Sequence, residues 1–133
     1  MPTEIWKIGT ENLDVALPLA TPLLEAICVR GYSSMEGFKA RFASGESQLW
    51  IIGEGGEALA VVVTDIQEYP GFKACRITQC TGRDRKRWIH HLDDIKAWAQ
   101  SVGCGKMQAV ARPGWASELK EFKKTHLILE CDL

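Results

Sequence analysis

The chain has 133 residues, 46% of them hydrophobic and 25% charged, with a formal net charge of −1. That length suits a single domain spanning 1–133, which buries about two-thirds of the surface its unfolded chain exposes and needs no covalent staple to fold. The balance excludes a strongly basic nucleic-acid binder, and apolar runs such as Leu59 to Val63 are far too short to span a bilayer.

The first residues, MPTEIWK, lack the basic and apolar regions of a signal peptide. The five cysteines (28, 75, 80, 104 and 131) are scattered, with no C-x-x-C pair. Reduced thiols, a cytoplasmic location and no metal are the expectation. Charge is uneven. Residues 1–66 carry four Lys/Arg against nine Asp/Glu, whereas 67–133 carry twelve against eight, so an anionic ligand should favour the second half.

Taken in chain order, Glu4 to Ile8 alternates polar and apolar residues and predicts a first strand. Thr21-Pro22 reads as a helix start, a Thr cap before a Pro at the first helical position, and Gly31 as its stop. Ser33-Ser34 opens a second helix with Met35, Phe38 and Phe42 on its apolar side, ending near Gly45. Gln48–Ile52 and Ala58–Val63 are two strands around GEGGE. No helix follows those glycines, so a hairpin turn is expected there and not a phosphate loop.

After the turn signal Tyr69-Pro70-Gly71, Lys73 to Cys80 is a further strand. Arg85 to Val102 carries an apolar stripe of Trp88, Leu92, Ile95, Trp98, Ala99 and Val102 and predicts a long helix stopped by Gly103. A strand over 106–112, a short helix from Trp115 to Phe122 and a closing strand over 125–130 complete the order. The fold class is therefore α/β: a mixed, mainly antiparallel sheet of about six strands flanked by helices, in the order β-α-α-β-β-β-α-β-α-β.

At the junction of the fourth strand and the long helix stands Cys80-Thr81-Gly82-Arg83-Asp84-Arg85-Lys86-Arg87-Trp88, four cations in five positions. Cations at a helix amino terminus cost roughly 0.3–1 kcal/mol each at low salt. Such a cluster is either an anion-binding turn or an exposed basic helix start.

These elements and residues resemble the GNAT superfamily of acyl-CoA N-acyltransferases. Gly45-x-x-Gln48-Leu49-Trp50-Ile51-Ile52 followed by Glu54-Gly55-Gly56-Glu57 looks like its second and third strands, and Ala116-x-x-Leu119-x-x-Phe122 like its last short helix. QLWII, EYPGFKACRI and the segment from RPGW to ECDL look most similar to small GNAT-like proteins of bacteriophages and prophages. The resemblance implies acetyl-CoA as cofactor, with Cys80, Thr81, Gly82, Arg83, Arg85, Lys86 and Arg87 holding its pyrophosphate. The family's pattern has small residues where Lys86 and Trp88 fall, and a Tyr general acid where Lys120 falls.

For a base, Asp65 and Glu68 are the nearest carboxylates to the fourth strand, and each also reads as a turn residue. Cys80 beside the basic loop could serve as a nucleophile or as a buried strand thiol. Asp94 is expected to pair with His90 on the long helix, and Trp115, after Pro113-Gly114, to line a cleft.

Three functions follow as expectations. The first is a phage-type GNAT-fold protein with little or no catalysis, binding a phage or host protein or belonging to the virion. The second is an active N-acetyltransferase acting on an amine. The third, of least weight, is a nucleic-acid module using Arg83 to Arg87.

Overall fold

The structure, a computed structural model, describes residues 2–133. Five strands form one sheet in the order β1-β2-β3-β4-β5: β1 (Glu4–Ile8), β2 (Ser47–Glu54), β3 (Glu57–Glu68), β4 (Lys73–Gly82) and β5 (Lys106–Ala109). The first four pair antiparallel and β5 joins β4 in parallel. This is the mixed, mainly antiparallel sheet the sequence implies, with five strands where about six are expected.

Both faces of the sheet are covered, which is why β2 and β3 read as continuous apolar runs. On one face α1 (Leu13–Cys28) and α2 (Met35–Ser44) lay Ala20, Leu24, Phe38 and Phe42 on Leu49, Ile51, Val61 and Val63. On the other, α3 (Leu92–Ser101) lays Leu92, Ile95 and Ala99 on Trp50, Ile52, Val62, Cys75 and Ile77. Each such side chain taken fully from water contributes roughly 1.5–3 kcal/mol. The one fully buried polar residue of β3, Thr64, accepts from Trp50 Nε1 at 3.0 Å and donates to Gln48 Oε1 at 2.8 Å.

Local signals hold at α2. Ser34 Oγ accepts from the Gly37 N–H at 3.0 Å, and Gly45 closes the helix at φ 82°. They hold also at the β2–β3 turn, where Gly55 and Gly56 have φ values of 58° and 84°, the two left-handed residues of a type I′ hairpin.

Four expectations are corrected. The first helix begins at Leu13, so Thr21-Pro22 lies inside α1; the Thr21 hydroxyl donates back to the Leu17 carbonyl at 2.9 Å instead of capping. The long helix begins at Leu92. Arg85–Arg87 and Ile89–His91 are 3-10 turns, because Asp84 is left-handed at φ 54° and breaks the path from the strand. Finally, 125–130 forms no strand and Trp115 to Phe122 no α-helix; a 3-10 turn over Pro113–Ser117 is what forms there.

Candidate functional site

β5 accompanies β4 only from Ala74 to Ile77, with a last bond from the Val110 N–H to the Ile77 carbonyl at 2.9 Å. Beyond it the two strands part, and from Thr78 to Gly82 β4 has no strand on its outer edge. A bulge helps turn this stretch, since Val63 faces Gln79 while Thr64 faces Ile77, leaving Thr78 as the extra residue. The open edge runs straight into Arg83–Trp88. On one side the α1–α2 connection reaches it, Gln79 Nε2 donating to Ser33 Oγ at 3.2 Å. On the other stands Trp115, whose ring lies 6.3 Å from that of Trp88.

Gly82 occupies its position for a packing reason. A Cβ there would lie 2.7 Å from the Leu59 carbonyl oxygen, 2.8 Å from Ala60 Cα and against the Ala60 methyl. Only glycine lets β4 end this close to β3. The next residue continues the ladder, the Arg83 N–H donating to the Leu59 carbonyl at 3.0 Å. The turn is then fixed by the Arg87 N–H on the Asp84 carbonyl at 2.8 Å and by Trp88 Nε1 on the Arg83 carbonyl at 2.7 Å. The backbone N–H groups of Asp84, Arg85 and Lys86 have no acceptor among the described residues. These are the orphan donors of a helical start.

The cations meet carboxylates. Arg83 pairs with Glu57 at 3.3 Å and Arg87 with Glu54 and with Asp84. Arg85 pairs with Glu118 at 3.3 Å and lies 4.6 Å over the Trp115 ring. A groove of about 470 Å³ between the β2–β3 turn and this loop is lined by Glu54, Gly55, Glu57, Leu59, Arg83, Asp84 and Arg87. Three arginines thus face four carboxylates, and with Lys86 counted the patch is close to neutral toward a polyanion, which weakens the basis for nucleic-acid binding.

Cys80 sits on the same strand as the loop, half-buried against the α3-side core, and burial pushes its thiol up to about 12, with Arg85 pulling the other way. At neutral pH it is a protonated thiol. Its alkylation by iodoacetamide should therefore keep rising with pH through pH 10 without a plateau near 8.5, followed by peptide mass spectrometry. A plateau at that ordinary thiol value would contradict the burial. Buried Cys75 is likewise raised to about 12, chiefly by burial. Since both thiols ionise earlier in the unfolded chain, they make the fold less stable as pH rises above the unfolded value.

Asp65 and Glu68 lie at the opposite end of the sheet from the basic loop. Asp65 faces Arg76 and accepts from Ser47 Oγ at 2.6 Å, and Glu68 faces Lys73. Arg76 and Gly82 are separated along β4 by about 20 Å at roughly 3.3 Å per residue. Both carboxylates line a second groove, of about 520 Å³, with Arg41, Gln48 and Gln67. The structure therefore brings Cys80 to Arg87 together and leaves Asp65 and Glu68 apart from them.

The sequence expectation that Asp94 pairs with His90 is corrected: it pairs with His91, Nδ1 to Oδ2 at 2.9 Å, while Nε2 of the same ring meets Thr3 Oγ1 at 2.8 Å. Helical spacing suggested the wrong histidine because Ile89–His91 is a 3-10 turn and the helix begins only at Leu92, so Asp94 meets the residue three before it. Among the described residues no group of His, Cys, Asp and Glu is arranged to hold a metal ion, and no helix is long and apolar enough to cross a membrane.

No family model matches the sequence and no curated protein is similar to it; solved structures are. The chain superposes on an aminoglycoside acetyltransferase, meta-AAC0020, from an uncultured soil metagenomic sample, with a TM-score of 0.74 at 9% identity over 98% of this chain and 96% of that one. It superposes on glucosamine-6-phosphate N-acetyltransferase from Arabidopsis thaliana at 0.71 and 16% identity, over 99% of each chain. A predicted acetyltransferase of Clostridium acetobutylicum, solved with acetyl-CoA, gives 0.66 at 17% over 98% and 96%. The chain has the mixed α/β fold of the GNAT acetyltransferases. At these identities the likeness is one of fold.

Proposed function

We propose that this protein binds an acyl-CoA, with acetyl-CoA as the first candidate, at the open edge of β4 and transfers its acyl group to an amine. The observation that carries the proposal is the junction itself. A strand edge left open from Thr78 to Gly82 leads directly to three free backbone N–H groups and a cationic loop, in a fold that covers acetyltransferases almost end to end. The N–H groups of Arg85 and Lys86 and the Lys86 ammonium would meet the pyrophosphate. Arg83 and Arg85 would exchange Glu57 and Glu118 for phosphate oxygens, a better acceptor set for a guanidinium. The main chain of Thr78 to Thr81, without a strand on its outer side, would align the pantetheine arm.

When bound, acetyl-CoA supplies an acyl group already activated as a thioester. The chain's part is to hold that group and exclude water, with Trp115, backed by buried Trp88, walling the α3 side. No carboxylate of the Asp65–Glu68 pair reaches the mouth, so a proton leaving the attacking amine would go to solvent or to a group on the acceptor. That arrangement makes for slow transfer that rises with pH as the amine deprotonates.

A second reading, ligand binding without turnover, is favoured by the occupied state of the loop's three arginines, all of which already hold carboxylates, and by Lys120 where the resembling family has its Tyr acid. The bacteriophage link and a virion role rest on the sequence resemblance alone. The test is release of free thiol from acetyl-CoA in the presence of a panel of primary amines. Amine-dependent release supports the enzyme; saturable binding with none supports the second reading; neither result sinks both.

A further inference from the structure

Among the described residues three polar side chains are buried, Ser47, Thr64 and His91, and of these His91 alone titrates. It stands where the 3-10 turn Ile89–His91 gives way to α3. Both ring nitrogens are engaged: Nδ1 lies 2.9 Å from Asp94 Oδ2 and Nε2 lies 2.8 Å from Thr3 Oγ1. Thr3 has a second contact, its hydroxyl donating to the Arg87 carbonyl at 3.3 Å. A chain of contacts thus runs from α3, through the residue before β1, to the last arginine of the cationic loop.

The ionised Asp94 carboxylate and the Arg87 carbonyl can only accept. Asp94 therefore takes the Nδ1 proton. Thr3 has a single hydroxyl proton, and giving it to Arg87 leaves the hydroxyl oxygen to accept from Nε2. Nε2 must then carry a proton as well, so the three bonds exist together when the ring is doubly protonated. A neutral ring keeps its proton on Nδ1 for Asp94 and presents a bare Nε2. The Thr3 hydroxyl then turns to that nitrogen, the nearer of its two partners, and gives up the Arg87 carbonyl.

The charged groups around the ring come from three elements. Asp94 approaches from α3, and His90 lies beside it in the turn with ring centroids 4.2 Å apart. The loop brings Arg87, whose guanidinium pairs with Glu54 and Asp84, and Glu4 follows Thr3 on β1. The Asp94 side chain stands 59% in water, too solvated an orienter to drive Thr3 as a nucleophile. The array is built to hold.

We propose that Asp94, His91 and Thr3 form a proton-operated clasp on the carboxyl end of the cationic loop. With the ring charged, Thr3 ties the Arg87 carbonyl to the start of β1; with the ring neutral, that tie is released. His91 is a positioning residue here, acting on the loop through Thr3. That the loop so held takes phosphates rests on the acyl-CoA reading, whereas the clasp belongs to the protein without ligand. Histidine changes charge between about pH 5 and about pH 8, so the loop is tighter toward the acid end of that range.

Nuclear magnetic resonance of the full chain without ligand tests this. Long-range proton–nitrogen spectra should show protons on both His91 ring nitrogens near about pH 5 and on Nδ1 alone near about pH 8. The Trp88 amide, whose peptide contains the Arg87 carbonyl, should shift with the same midpoint. Hydrogen-exchange protection at Arg87 and Trp88, corrected for the intrinsic rate, should fall about fivefold from the acid to the alkaline end, the effect of one net hydrogen bond. Thr3→Val, which keeps the branched shape and removes the hydroxyl, should abolish both the Trp88 shift and the change in protection. Thr3→Ser should retain them. A Trp88 amide indifferent to the His91 titration, or one that follows it equally in Thr3→Val, overturns the clasp. A coupled shift in a chain that binds no acetyl-CoA supports the clasp and sinks the acyl-CoA reading alone.

Discussion

Replacing Trp88 by alanine should destabilise the protein by about 3–5 kcal/mol, a large share of the roughly 5–15 kcal/mol that a domain of this kind has. Trp88 is 1% exposed and lies in the core formed with Trp50, Ile95 and Ala99. Its indole N–H also holds the Arg83 carbonyl at 2.7 Å. Removal leaves a cavity the size of an indole beneath the loop and the part-buried Arg83 carbonyl without its donor. Trp88→Phe keeps most of the packing and loses the bond, and should cost about 1 kcal/mol beyond the volume change. Urea unfolding of the three proteins checks the series. A Trp88→Ala midpoint equal to that of the parent would show that the residue is not the anchor described.

Gly82→Ala should cost about 1–3 kcal/mol although it adds one methyl group. The atoms that methyl would strike, the Leu59 carbonyl oxygen, Ala60 Cα and the Ala60 methyl, belong to the main chain or next to it and cannot swing aside. Relief requires β4 to lift from β3 at its end, which breaks the Arg83 N–H bond to Leu59. The effect is therefore local as well as global: the Arg83 amide should lose hydrogen-exchange protection before the centre of β4 does. A variant with parental stability and a protected Arg83 amide would contradict the close approach. With Trp88→Ala, this substitution separates the two supports of the loop, one from the core and one from the sheet.

How much of this was legible in the sequence follows from how local each signal is. Ser34 as cap, Gly45 as stop and the GEGGE glycines as a hairpin turn each depend on a few neighbouring residues, and each formed as expected. The start of α3 was not legible, because Trp88 keeps helical spacing with Leu92 while sitting in a turn; its burial comes from the core and not from a helix. Asp84 alone carried the break, and an aspartate tolerates a left-handed backbone too often for its presence to announce one.

The cation cluster was visible from the first, but its partners were not. Glu54 and Glu57 lie on the β2–β3 turn and Glu118 beyond β5, and only the register of β3 with β4 and the path after β5 bring them to Arg83, Arg87 and Arg85. The same gap in range explains the 125–130 segment. Its residues have strand character, yet a strand needs an edge to pair with, and composition does not supply one.

The central claim is that the loop from Cys80 to Arg87, at the end of the open β4 edge, holds the phosphates of an acyl-CoA. Isothermal titration calorimetry of the full chain with acetyl-CoA tests it most directly. Saturable heat with a micromolar Kd is expected, weakened by roughly tenfold or more in the Arg83→Ala, Arg85→Ala double variant and strengthened in Glu57→Gln, which removes the carboxylate competing for Arg83. The absence of heat at millimolar acetyl-CoA, or binding indifferent to the loss of both arginines, would contradict it.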